Sequence, residues 1–366
     1  MGIVISPYSS CHAAAIREFN VRLASVSAYR EFQLPEEPAP PGDGRRLCES
    51  YYLALSGGVV RGGYILNRQE FWFRGEARRV AHYRLPLSEG VLDRTYSGVA
   101  MQMLRAALRA EPLLFALGMG GAENALPRLL RAMGWSIYAV PFYFRVTHPG
   151  RMLRELPRLR ASRAGRLAAA AARLSGAAWL GIGAAQALRR RPVRGVTAEP
   201  VRAFDAWADA LWERSHYRYR MLAARDSGAL NALYPRADER FHRLCVSREG
   251  AVAGWALVLD TAMRDNRHFG NLRVGTIADC LALPEDAPAV VGAAARWLEQ
   301  RGVDLIVSNQ AHAAWRRALE RAGFLRGPSN FLFAASRDLA RLLDPFETAV
   351  TEIHINRGDG DGPIHL

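Results

Sequence analysis

Apolar and polar positions along this chain follow two rhythms, and the rhythms alternate in a repeated order. Residues 50–68, "SYYLALSGGVVRGGYILNR", and 70–87, "EFWFRGEARRVAHYRLPL", carry the β-branched and aromatic runs of strands. The pairs Gly57-Gly58 and Gly62-Gly63 punctuate them as hairpin turns or bulges would. Met103, Leu104, Ala107 and Leu108 then recur at helical spacing. "LLFALGMGG" reads as a buried strand, "AENALPRLLRAMGW" as a second helix, and "WSIYAVPFYFRVTHP" as closing strands. From Asp205 onward the order returns: a broken helical stretch, a meander with a turn at Glu249-Gly250, the helix "APAVVGAAARWLEQRGV", the strand "DLIVSNQ", the helix "HAAWRRALERAGF" and the strand "SNFLFAAS". Met133-Gly134-Trp135 and Ala322-Gly323-Phe324 end corresponding helices, so the pattern predicts a tandem repeat of one α+β domain.

Composition changes this picture in one place. The formal net charge is +14, and the sequence contains no lysine, so all 49 basic residues are arginine. Residues 149–195 hold eleven arginines and one acid, Glu155, which gives 11 − 1 = +10 of the +14. A nucleic-acid binder carries its charge on its folded domains more often than on a connector, so nucleic acid is not the expected partner. Within the connector, the only strongly polar residues from Leu167 to Leu188 are Arg173 and Gln186. Arginine flanks on both sides predict a helix that lies on an anionic membrane surface, with a helix packed against the protein as the plainer alternative. The expected domains are 1–148, a basic helical connector 149–195, and 196–366. Cys11, Cys48, Cys245 and Cys280 form no CxxC pair, as expected of reduced thiols. The first residues lack the basic start and apolar run of a signal peptide, so a cytoplasmic protein is expected, at most at the inner face of the membrane.

The candidate chemistry begins with "LDRTYSGVAMQMLRAALRAEP", Leu92 to Pro112, where a polar turn precedes an apolar helix. Backbone N–H groups at a helix start lack intrahelical partners, and the helix dipole places positive potential there. Such a turn can hold phosphate; as plain structure it is a helix start with Ser97 as N-cap.

The element order resembles the GNAT acyltransferase fold, twice in one chain. The resemblance implies a mostly antiparallel mixed sheet flanked by helices, with the fourth strand splaying from the fifth. It implies that the turn after the fourth strand, usually (Gln/Arg)-x-x-Gly-x-(Gly/Ala), binds the pyrophosphate of coenzyme A. Here that turn is Thr95-Tyr96-Ser97-Gly98-Val99-Ala100, with Thr95 in place of the usual Gln or Arg. Arg94 adds a cation beside it. The carbonyl clamp implied by the resemblance is fourth-strand backbone near Leu85 and Leu87, and Asn124 is a candidate to bond the pantetheine or to cap its helix. Candidates for the general base are His82 and Glu89, flanking the end of that strand. The tyrosine that protonates the leaving thiolate in many such enzymes is replaced by Leu130 and Leu319, neither of which can donate a proton. In the second half Glu285 and Asp286 stand where a phosphate turn is needed, so one coenzyme A site, in the first half, is expected.

The resemblance implies an acyltransferase using acetyl-CoA or another acyl-CoA and acting on an amine of a small molecule. The layout and the Gly-Asp-rich tail also resemble GNAT-like proteins associated with bacterial surface-polysaccharide synthesis, which implies a glycan or cell-envelope precursor as acceptor. The pairing of an active-looking half with a degenerate one also resembles FemAB-like aminoacyl transferases, and a non-catalytic scaffold is the third possibility. "LGMGGAEN" fails as a dinucleotide fingerprint because Glu123 takes the third glycine's place, and zinc spacing, a Walker loop and a GxSxG elbow are absent. Asp359 and Asp361 in the glycine-rich tail are too few for an EF-hand, so no metal is expected. A flexible terminus is the default for that tail, and a carboxylate reaching into a cleft is the alternative.

Overall fold

The computed structural model describes residues 2–26, 29–38, 47–155, 177–266 and 268–360. In chain order its first part forms β1 (Val4–Pro7), α1 (Ala13–Ala24), β2 (Leu47–Ser56), β3 (Val59–Phe73), β4 (Glu76–Ser88), α2 (Val99–Ala110), β5 (Leu114–Gly118), α3 (Ala125–Ala132), β6 (Ser136–Ala139) and β7 (Phe142–Val146). The connector contributes α4 (Pro149–Glu155) and α5 (Ala177–Arg189). There follow β8 (Val196–Val201), α6 (Ala206–Ser215), β9 (Leu222–Ala223), α7 (Ser227–Leu233), β10 (His242–Arg248), β11 (Ala251–Ala262) and β12 (Arg273–Ala282). The chain closes with α8 (Ala287–Gln300), β13 (Leu305–Asn309), α9 (Ala313–Arg321), β14 (Leu325–Gly327), β15 (Leu332–Ala335), α10 (Arg337–Leu342) and α11 (Phe346–Ala349).

Two compact units result, each with its own sheet, and they are not the expected 1–148 and 196–366. The first unit comprises Met1–Phe71, Ala77–Tyr138 and Leu332–Phe346. Its main sheet runs β1-β2-β3-β4-β5-β15-β6, so a strand from near the end of the chain sits beside β5. Phe333 of β15 is fully buried there, 6.0 Å ring to ring from Phe115 and 6.4 Å from Phe346. Ser336 fixes the end of that strand: its Oγ donates to Pro112 O at 2.7 Å and accepts from Leu114 N at 3.1 Å.

The second unit comprises Trp72–Glu76, Ala139–Phe331 and Glu347–Leu366, and its sheet runs β14-β7-β13-β12-β11-β10-β8. Here β7, which closes the first repeat in sequence, pairs with β13 from Val146↔Leu305 to Phe142↔Asn309. Each repeat therefore contributes its last strand to the other unit's sheet. The boundary at 148 misses this exchange because hydrophobic periodicity identifies a strand without naming its partner. The repeat itself holds: β2-β3-β4-β5 in one unit and β10-β11-β12-β13 in the other are three antiparallel strands followed by a parallel neighbour.

The glycine pairs divide in function. Gly57 and Gly58, at φ 56° and 79°, make the two-residue β2–β3 turn, whereas Gly62 and Gly63 lie within β3 beside a register shift at Ala54/Leu55. A Cβ on Gly62 would stand 2.6 Å from Leu87 O, so only glycine lets β4 come this close. The connector's apolar run falls on residues outside the description up to 176. Its remainder is the α5 helix, held by Gln186, whose Oε1 accepts from Val146 N (2.8 Å) and whose Nε2 donates to Val146 O (2.9 Å). Among the described residues no helix is long and apolar enough to cross a membrane.

The exchange has a direct consequence. Expressed alone, residues 1–148 lack β15 and leave the β5 and β6 edges of their sheet unpaired. That fragment is expected to show no cooperative thermal transition by circular dichroism, whereas the full chain does. A cooperative fragment melt would contradict the exchange.

Candidate functional site

In the first unit, β4 and β5 pair in parallel over only Ala81↔Leu114 and His82↔Phe115, after which they part. Past that point β4 carries a distortion at Leu85, whose φ of 48° is rare for a residue with a branched side chain. Pro86 follows and has no N–H to give, so β4 lacks a ladder donor at this point. The chain then makes two 3-10 turns, Glu89–Val91 and Arg94–Tyr96, before α2.

The turn is positioned from beneath. Glu89 is buried, and its two oxygens accept from Arg22 Nε and Arg61 Nη1, each at 2.8 Å. The Arg61 guanidinium lies 4.2 Å from the Tyr96 ring centroid, a cation–π contact that ties the second turn to this ion pair. Asp93 Oδ1 caps the second turn by accepting from Thr95 N at 2.8 Å, and this bond lowers its pKa. Gly90 has no room for a side chain: a Cβ would stand 2.7 Å from Tyr96 O and 3.0 Å from Ser97 Cα.

Ser97 is not the N-cap. It stays in helical conformation, and Gly98 takes the cap position at φ −77° with no side-chain cap bond. The first turn of α2 is thus open at its N–H end, and a cavity of about 350 Å³ lies there, lined by Gly2, Ser56, Thr95, Tyr96, Gly98 and Gln102 among others. The nearest atom to a Cβ on Gly98 is Gln102 Nε2 at 3.9 Å, so space in front of Gly98 is free. Val99 is buried at the base of the cavity, and Ala100 follows within the first turn of α2.

The catalytic candidates are not brought to this cavity. His82 is 5% exposed and stacks on Phe115 (4.8 Å, 7°), at the paired end of the two strands. Glu89 is neither solvated nor facing the cavity, because two arginines occupy both oxygens. Arg94 is exposed beside the turn. Asn124 stands at the N-cap of α3 without capping it; its Nδ2 donates to Met119 O at 3.0 Å. Leu85 carries the β4 distortion, and Leu87 O packs against Gly62 of β3. Leu130 and Leu319 are fully buried core residues of α3 and α9. Tyr96, named with the turn, does line the cavity, whereas Ser56, which also lines it, carried no sequence signal.

The second unit repeats the geometry and fills it. β12 and β13 pair over Val274↔Leu305 to Thr276↔Val307 and then part. The tail expected to be flexible is folded through Gly360 and lies here, with Gln310 bridging to Asn356 and Leu222 to His354. Asn356 Nδ2 donates to Asp279 Oδ1 on β12 at 2.9 Å. Arg225, fully buried, donates from Nε to Asp279 (2.7 Å) and from Nη2 to Asp359 (2.6 Å), and the Tyr234 hydroxyl donates to Asp279 at 2.7 Å. Asp359 is thus a structural anchor; Asp361 lies outside the described residues. Glu285 and Asp286 are paired with Arg218 (3.1 Å) and Arg248 (3.6 Å), so their charge is partly met, and the tail is the stronger obstacle to a ligand. Cys280 is a buried filler whose thiol pKa is raised by burial. Among the described residues no group of three metal-ligating side chains occurs.

No protein-family model matches the chain, and no curated protein matches it in sequence. Solved structures do match in fold. A conserved Enterococcus faecalis V583 protein described as a probable N-acyltransferase superposes with a TM-score of 0.54 at 11% identity, over 94% of this chain and 75% of its own. A GCN5-related N-acetyltransferase from Anabaena variabilis gives 0.53 at 11% identity, over 91% and 72%. Saccharomyces cerevisiae N-myristoyltransferase with bound myristoyl-CoA and inhibitors gives 0.51 at 8% identity, over 91% and 79%. The fold is GNAT-like. Both units carry the parted strand pair of a GNAT sheet, the first with an open helix start beside it and the second with its own tail inside.

That buried tail predicts a pH response. Burial lowers the pKa of His312 to about 3 and of His354 to about 4. His312 Nδ1 accepts from Ala314 N at 3.2 Å, a cap that exists only while that nitrogen is unprotonated. Unfolded histidine titrates near 6.5, so the stability these two confer is present above about pH 6.5 and lost as pH falls. Asp359, raised to about 6 by burial, opposes this: its contribution is present at low pH and lost as pH rises through about 6. Two groups outweigh one, and the thermal midpoint is expected to fall from pH 7 to pH 5. The slope should flatten or reverse in the His312→Gln/His354→Gln variant. An unchanged slope would reject this account.

Proposed function

We propose that this chain is an acyl-CoA-dependent acyltransferase whose single co-substrate site lies in the first unit. The open start of α2 carries the reading. Uncapped N–H groups at Gly98, Val99 and Ala100, a cavity beside them and the nearby Arg94 suit a diphosphate in chemistry and in space. Thr95, Tyr96 and Ser97 would complete the cradle, and the β4 backbone at Leu85 and Leu87 would orient the pantetheine arm. The transfer moves the acyl group from thioester sulfur to an acceptor nitrogen, and the thiol leaves with the proton that the amine gives up. With His82 and Glu89 withdrawn from the cavity, the chain contributes through positioning and polarisation rather than a dedicated base. The acceptor would be an amine of a small molecule, a sugar or a cell-envelope precursor. Fold likeness to the N-acyltransferases supports acyl transfer in general and leaves acetyl as one option among acyl groups.

The burial of Leu130 and Leu319 favours a second reading, a non-catalytic coenzyme A-binding scaffold, which would bind the cofactor and consume none. Aminoacyl transfer of the FemAB kind would instead require charged tRNA.

Gly98→Glu tests the cradle cleanly, since the side chain meets open space and the backbone is ordinary helix. The variant is expected to keep the wild-type melt and to lose coenzyme A binding at least tenfold in calorimetry. Unchanged affinity would remove the cradle. Native mass spectrometry should show one coenzyme A per wild-type chain, because the tail fills the second gap. Two bound per chain would contradict that.

A further inference from the structure

A second, unrelated feature of the second unit is a small cavity of about 40 Å³ walled by five arginines: Arg145, Arg190, Arg191, Arg296 and Arg321. None of its lining side chains is a carboxylate. Since a water needs roughly 10–15 Å³ by this kind of measure, the space takes several waters or one tetrahedral oxyanion. Arg145, on β7, is 5% exposed and rigidly held, donating from Nη1 to Ala322 O at 3.0 Å and from Nη2 to Glu299. Glu299 also meets Arg190, at 3.5 Å. Arg296 spends one bond, at 3.3 Å, on Val196 O. The walls come from separate elements: β7, the end of α5 with Arg190-Arg191, the α8 face at Gly292 and Arg296, and the end of α9 at Arg321. The backbone bond from Arg191 N to Arg321 O, 2.8 Å, locks two of these together. Burial lowers the pKa of Arg145, with Glu299 pulling it up and Arg190 and Arg296 pulling it down.

Like charges brought this close repel unless something answers them, and guanidinium forks suit phosphate oxygens in particular. We propose that this cavity is a specific phosphate-binding site, taking inorganic phosphate or the phosphate end of a larger molecule, and that it works independently of the coenzyme A cradle. The end of α5 that forms one wall is the C-terminal end of the arginine-rich connector. A lipid phosphate is therefore one source of the ligand, and a soluble phosphate the other.

The test uses the full chain carrying Gly98→Glu, so that the α2 turn is silent, and no coenzyme A. The thermal midpoint is followed against sodium phosphate, with sodium chloride at matched ionic strength as reference, and the affinity is measured by calorimetry. A phosphate-specific rise is expected. In Arg296→Gln/Arg321→Gln, which leaves the buried Arg145 untouched, affinity should fall at least tenfold while the melt without phosphate stays cooperative. Arg17→Gln, which alters an exposed pair in the other unit, should change nothing. Sedimentation with phosphatidic acid vesicles but not phosphatidylcholine vesicles, lost in the double variant, would identify a lipid headgroup as the source. Phosphate binding without vesicle binding would identify a soluble one. No rise beyond chloride, or a rise that survives the double variant, would overturn the site.

Discussion

The constraint on which this molecule turns is a parallel strand pair that cannot stay paired. β4 and β5 keep two residue pairs in register, β12 and β13 keep three, and then each pair opens. Backbone groups left inside such an opening have to be answered by something, since buried N–H and C=O groups without partners are costly. The two units answer differently. In the first, Gly90 and the Arg22–Glu89–Arg61–Tyr96 stack fix the turn that leads from β4 into α2, and a cavity lies at the start of α2, walled by that turn, the end of β2 and Gly2 and Ile3. In the second, the chain supplies residues 353–359 itself.

That self-filling is expensive chemistry held in place by full satisfaction. Arg225 and Asp279 have no exposed surface and Asp359 almost none, and every charge among them is met by another charge, an amide or a hydroxyl. Removing one partner of such a buried set typically costs about 3–5 kcal/mol, because the remaining charge is stranded. A segment anchored so firmly is not a gate in equilibrium with a ligand. The filling of the second opening is therefore built into the covalent chain.

How much of this was legible in the sequence follows from the range of each interaction. Local signals read true: Gly57-Gly58 and Glu249-Gly250 turn as their positive φ demands, and α2 follows the Met103–Leu108 spacing. Signals that depend on distant partners did not. Glu89 looks like a loop acid until Arg22 and Arg61, 67 and 28 residues away, are placed against it. The Gly-Asp tail has the composition of a flexible end, and only its partners on β12 show that its Asn and Asp are anchors. The exchange of β7 and β15 was invisible for the same reason. Even the helix start was misread by one residue: Ser97 resembles a cap, yet the 3-10 turn capped by Asp93 runs straight into α2, leaving Gly98, which has no side chain, at the cap. That local difference leaves the N–H end of α2 without a side-chain cap.

The all-arginine composition also reads differently once the contacts are known. A need for surface charge accounts for the exposed arginines but not for Arg225, which makes three directed bonds in a site with no exposed surface. It does not account for Arg145, which divides its fork between a carbonyl and a carboxylate. Nor does it account for Arg243, which donates to Phe241 O, Tyr234 O and Pro235 O from the two ends of one guanidinium. A lysine offers a compact ammonium whose pKa drops readily on burial, and it cannot reach two acceptors in a plane. At these three positions the guanidinium works as a rigid cross-brace that stays charged where lysine would tend to lose its proton. The arginine content of the chain is thus partly a consequence of how its second unit is held together.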